Sequence, residues 1–143
     1  MATVSPPWAY TLQLPHDPRA PGVARHALRT VLAAHDMAEL SAMAELLASE
    51  LLTNAHLHSD GPYTLRLRVM EHDRLRVGVW DSNPDIPPPF KGGAAPRPPD
   101  DQERGRGLHL VQMLADNWGA YPLGAGGPLG EGGGKLLWVE CKP

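Results

Sequence analysis

The sequence predicts an α+β domain, a two-layer α/β sandwich with helices on one face of a mixed, mostly antiparallel sheet. Three observations predict it. Segments that alternate with period two and segments with helical periodicity follow one another as strand, helix, helix, two strands, helix, two strands. The middle pair of strands is separated by a short turn and reads as a hairpin, which makes those neighbours antiparallel. Each helix carries an apolar stripe, and such stripes are covered together by one face of a sheet.

Each element has its own justification. Trp8, Tyr10, Leu12 and Leu14 alternate with Ala9, Thr11 and Gln13, a first strand. Asp17-Pro18 reads as a helix cap followed by proline at the first helical position, and Val23, Ala27, Leu28, Val31 and Leu32 continue that helix to about His35. A second helix is expected from about Ala38 to Leu57, stopped by the turn residues Ser59-Asp60-Gly61-Pro62. In the hairpin, Leu65, Leu67 and Val69 face one way and Arg66 and Arg68 the other. The turn falls near His72-Asp73-Arg74, and Leu75, Val77 and Val79 form the inward face of the next strand. Asp81 has the same parity as those three, so its carboxylate is expected on the core side.

From Pro84 to Asp101 seven prolines exclude regular structure, and a loop of this length inside a compact domain reads as a lid, taken to span about 84–104. Gly105 to Gly107 then lead into a helix whose apolar face is Leu108, Val111, Leu114 and Ala115. Trp118–Leu123 and Lys135–Cys141 read as closing strands joined by a glycine-rich loop.

Composition bounds the function. The 143 residues, 42% of them hydrophobic, suit one domain over 1–143 that buries about 68–70% of its unfolded surface. A net charge of −3 and a pI near 6.1 argue against direct nucleic-acid binding, which calls for a basic face. The single cysteine, Cys141, excludes an internal disulfide and reads as a small buried hydrophobe. Neither a signal peptide nor a membrane span of about 20 apolar residues is evident, so a cytoplasmic location is expected.

The candidate site residues sit at three places. Glu50 and Asn54 are four apart and share a helix face, the latter in line with Leu40, Met43, Leu47 and Leu51. A carboxylate beside an apolar stripe is costly without a partner; a boundary glutamate reaching solvent is the plain alternative. Asp81 ends a strand. Gly105 and Gly107 stand before a helix N-terminus, whose unpaired N–H groups attract anions, and Arg104 and Arg106 add charge-assisted donors unless they are ordinary solvated charges. His56 and His58 do not share a helical face, and no Cys or acidic cluster completes a metal site around them. Trp80 and Trp138 read as sheet packing.

In order and spacing, Ser49-Glu50-Leu51-Leu52-Thr53-Asn54-Ala55, Asp81 and Gly105-Arg106-Gly107-Leu108 resemble the N-box and two glycine boxes of the histidine-kinase-like ATPase superfamily. The resemblance runs from about Trp8 to Cys141 and implies the Bergerat ATP-binding fold. The short length resembles anti-sigma-factor serine/threonine kinases of the RsbW type, and the N-box phrase resembles small stand-alone members from high-GC bacteria.

That resemblance implies roles. Asn54 would coordinate Mg²⁺ bridging the phosphates of ATP, and Glu50 would be the general base toward a partner serine. Asp81 would accept a hydrogen bond from the adenine amine; Gly105, Gly107 and Leu108 would offer N–H groups to the phosphates, with Arg104 and Arg106 adding positive charge. The implied partner is a serine-bearing anti-sigma factor antagonist, with a sigma factor as a second candidate and a homodimer as a candidate assembly. Two positions depart from the family's pattern: Asn83 stands where glycine usually follows the aspartate, and Leu136 where threonine follows the lysine of the last strand. Asparagine tolerates a left-handed turn. The competing expectation is a non-catalytic interaction module that keeps the fold with weak or no nucleotide binding.

Overall fold

Among the described residues the elements follow one another as β1 (Ala9–Leu14), α1 (Ala20–Ala34), α2 (Ser41–His58), β2 (Tyr63–Val69), β3 (Leu75–Asp81), α3 (Glu103–Leu114), β4 (Asn117–Pro122) and β5 (Lys135–Cys141). The structure is a computed structural model that describes residues 7–91, 103–123 and 133–143, with backbone alone for 103–106. The strands form one sheet in the order β1-β2-β3-β5-β4. The expected α+β sandwich is present.

One expectation is corrected. The sheet is not mixed, because every neighbouring pair is antiparallel. The crossover through α3 leaves β3 and β4 running the same way, and the turn after β4 folds β5 back between them. No parallel pair of neighbours survives that insertion.

The core lies between the helices and the inner sheet face. Leu65 and Leu67 of β2, Leu75, Val77 and Val79 of β3, and Leu137 and Val139 of β5 meet Leu28 and Leu32 of α1, Leu47 and Leu51 of α2, and Leu108 and Val111 of α3. Helix α2 packs on β3 with α1 and α3 on either side. Cys141 is buried in this core, and burial pushes its thiol up to about 11, which keeps it unreactive.

Local chemistry moves several boundaries. Asp17 does not cap α1; its carboxylate accepts from the backbone and guanidinium of Arg19 at 2.8–3.0 Å, and the helix starts at Ala20 with Pro21 in its first turn. A 3₁₀ turn, Ala38–Leu40, precedes α2. Met43 is exposed rather than part of the buried stripe, because the inward face runs through Ala44, Leu47, Ala48, Leu51 and Ala55. Leu114 is likewise exposed at the end of α3. The β2–β3 turn uses left-handed His72 and Asp73. Of the expected lid, residues 92–102 lie outside the described residues. Its first part is anchored by a 3₁₀ turn in which Phe90 is buried with its ring centroid 5.3 Å from that of Trp118. No helix among the described residues is long and apolar enough to cross a membrane.

Candidate functional site

Helical spacing builds one wall of the site. Glu50, Asn54 and His58 are successive i, i+4 neighbours on α2 and share one face, flanked by Thr53 and Leu57. Gly107 and Leu108 of α3 form the opposite wall, and these residues line a cavity of about 320 Å³. Asn54 is 8% exposed, and its Oδ1 is buried with no hydrogen-bond partner among the described residues. A buried amide oxygen left this way costs free energy unless a ligand or water supplies the missing donor or cation.

Gly107 explains the close approach of the two helices. A Cβ at that position would overlap the carboxylate of Glu50. This corrects the expectation that Gly105 and Gly107 precede the helix, because α3 already begins at Glu103. The glycine at 107 makes room for a side chain of this protein. Arg104, Gly105 and Arg106 belong to the first turns of α3, and their side chains lie outside the described residues.

Gly107→Ala has two opposing effects. Alanine in a helix interior is favoured over glycine by about 1 kcal/mol, while forcing Glu50 off its rotamer costs about 0.5–1.5 kcal/mol. The expected result is a urea midpoint close to wild type. The full propensity gain would show that Glu50 is not held against Gly107.

Asp81 is set apart from this cavity. As its parity requires, it is buried, at 1% exposure, and so is Lys135, directly opposite it in the β3–β5 register. The Lys135 Nζ donates to Asp81 Oδ1 at 2.9 Å and to the Asn83 carbonyl at 3.0 Å. Burial pushes the Asp81 carboxyl above the usual carboxylate range, against the opposing pull of the Lys135 ammonium and the Asn83 N–H. Asn83 does not adopt the left-handed conformation; instead its N–H donates to Asp81 Oδ1 at 2.8 Å, and its Nδ2 donates to the His58 carbonyl at 2.7 Å. These bonds hold the turn without glycine and tie it to the end of α2. Gly134, at φ +94°, lets β5 enter beside it, since a Cβ there would strike the Asp81 carbonyl.

The structure therefore brings Glu50, Asn54, Gly107 and Leu108 together and leaves Asp81 paired nearby. His58 and Lys135 were not expected at the site. The i+8 spacing from Glu50 could have signalled His58, whereas Lys135 depended on strand register. His56 packs instead against His16, with ring centroids 4.2 Å apart, and bonds Tyr63 Oη at 3.0 Å.

A family model described as the histidine kinase-like ATPase domain matches residues 14–127. The chain belongs to that family. The matched span of this histidine kinase-like ATPase domain takes in both walls of the cavity and Asp81, and stops before β5 and Lys135. The chain is also similar to the uncharacterized protein SCO4941 of Streptomyces coelicolor, at 37% identity over 97 residues, 66% of this chain and 79% of the relative. Membership points to ATP binding. The oxygen of Asn54 suits Mg²⁺, a hard cation that takes oxygen ligands.

Proposed function

We propose that this domain is an ATP-binding regulator that phosphorylates a serine or threonine of a partner protein, in the manner of an anti-sigma-factor kinase. The observation that carries this reading is the pairing of Glu50 with the orphaned Oδ1 of Asn54 in one cavity facing α3. In it, Asn54 would hold Mg²⁺, which when bound would supply positive charge to offset the phosphates. Glu50 accepts the proton of the partner's hydroxyl as its oxygen bonds to the terminal phosphorus and ADP leaves. Backbone N–H groups of the first turn of α3 would be donors to the phosphates, where the helix dipole favours negative charge. Asp81 selects adenine through its exocyclic amine, and Lys135 competes for the same carboxylate. The partner is a serine-bearing antagonist, with a sigma factor as the second protein held.

The test is thermal unfolding with ATP, ADP and GTP, with and without Mg²⁺. ATP and ADP are expected to raise Tm while GTP does not, and binding at a hundred times Kd is worth about 2.7 kcal/mol. The commitment of Asp81 to Lys135 favours a second reading, a partner-binding module without turnover. No nucleotide-dependent shift at millimolar ATP would leave that module standing.

A further inference from the structure

The helices cover one face of the sheet. The opposite face carries side chains that the proposed chemistry does not use. Three cross-strand rows meet there: Arg68, Arg76 and Glu140; then Arg66, Gly78, Trp138 and Gly119; then Thr64, Trp80, Leu136 and Tyr121. The two glycines decide its shape. Gly119 accepts the Trp138 indole, which would collide with any Cβ at that position, and Gly78 leaves the centre open. The result is a cavity of about 440 Å³ with Arg66 and Arg68 on one side, Trp138 and Leu136 on the other, and Tyr121 where β4 ends. That volume falls within the range of about 300–1,000 Å³ typical of small-molecule sites.

Among the described residues, arginines outnumber acids on this face. Glu140 is fully buried and engages Arg74 at 3.2 Å and Arg76 at 2.6 Å. Arg76 is thereby fixed over the Trp138 ring, 4.1 Å from its centroid. Arg66 and Arg68 have no carboxylate partner among the described residues. The Trp138 ring lies 6.2 Å from that of Tyr121 at 22°, and its Nε1 is buried without an acceptor among the described residues. Guanidinium groups above an aromatic and aliphatic floor match a ligand that is flat at one end and anionic at the other.

We infer that this face is a second binding site, distinct from the helix-side cavity, for a small aromatic carboxylate or similar anionic aromatic molecule. The test titrates the full chain by calorimetry with 2-naphthoate, taking 2-naphthalenemethanol as the uncharged control and acetate as the ringless one, and repeats the titration with saturating Mg-ATP. One saturable site for naphthoate is expected, with the alcohol and acetate much weaker and Mg-ATP without effect. Arg66→Ala/Arg68→Ala removes two charge-assisted donors and is expected to weaken naphthoate by at least about tenfold, with Tm near wild type. Gly78→Val fills the floor and is expected to abolish binding. Its Cβ meets the Leu136 side chain at 3.3 Å and the Leu137 carbonyl at 3.6 Å, so the double arginine variant decides the matter if this one folds poorly. No saturable naphthoate binding at millimolar concentration, equal binding of the alcohol, unchanged affinity in the arginine variant, or displacement by Mg-ATP would each overturn the inference. A wild-type dimer that the arginine substitutions dissociate would assign the face to self-association and overturn it equally.

Discussion

Lys135→Ala is expected to lower the folding stability of this domain by about 3–5 kcal/mol, because it leaves the Asp81 carboxylate buried without its cation. For a chain of this size that is a fall in Tm on the order of 10 °C. Both groups are 1% exposed, so water cannot take the place of the missing partner. The loss depends on pH with a definite sign. Burial already raises the Asp81 pKa in the folded state, and Lys135 is the largest force opposing that rise, so removing it raises the value further. A carboxyl whose folded pKa exceeds its unfolded one favours folding most below the unfolded value, and that contribution is lost as pH rises through the folded value. The gap between variant and wild type is therefore expected to narrow as pH falls from about 7 toward about 4. Asp81→Leu/Lys135→Met, which removes both charges, is expected to recover much of the loss, since apolar replacements of buried pairs are often neutral. Equilibrium denaturation across pH measures all three chains. A change in Lys135→Ala below about 1 kcal/mol at neutral pH, the range of exposed pairs, would show that the pair is solvated.

On the proposed kinase reading, Glu50→Gln is expected to reduce phosphotransfer to a partner serine by about 10²–10⁴-fold, the usual contribution of a general base. The amide keeps the shape of the side chain beside Gly107 and leaves Asn54 untouched, so ATP affinity should stay near wild type. Asn54→Ala should behave differently. It removes the orphaned oxygen, so Mg-ATP binding and transfer fall together, while the fold loses only a buried polar atom that was already unsatisfied. Phosphate incorporation into the purified partner, measured beside nucleotide affinity and Tm, separates the two. Wild-type transfer by Glu50→Gln would mean that another group accepts the proton.

Most of the fold was legible because it rests on local periodicity. The parity of Asp81 with Leu75, Val77 and Val79 predicted its burial, and the spacing of Glu50 and Asn54 predicted a shared face. What could not be read depends on contacts between distant segments. Lys135 lies 54 residues from Asp81 in sequence and meets it only through the β3–β5 register. Gly107 looked like a glycine clearing space for phosphate; only the packing of α3 on α2 reveals that Glu50 occupies that space. Asp17-Pro18 looked like a cap, but the helix starts later, with Arg19 at its N-cap, and the Asp17 carboxylate accepts from the Arg19 backbone N–H and guanidinium instead.

The place of β5 in the sheet has a consequence for how the domain is made. It is translated after both of its neighbours, β3 and β4, and must slot between them. Until the ribosome has released residues 135–141, the sheet is split into a three-stranded piece and a lone strand, each with an open edge. The Asp81 carboxylate has no counter-ion during that interval, because Lys135 arrives only with β5. Pairings that wait for distant sequence form slowly. Neutralisation of the buried Asp81 carboxylate and closure of the sheet thus become a single event, so a chain that lacks β5 carries an unpaired buried acid as well as two open sheet edges.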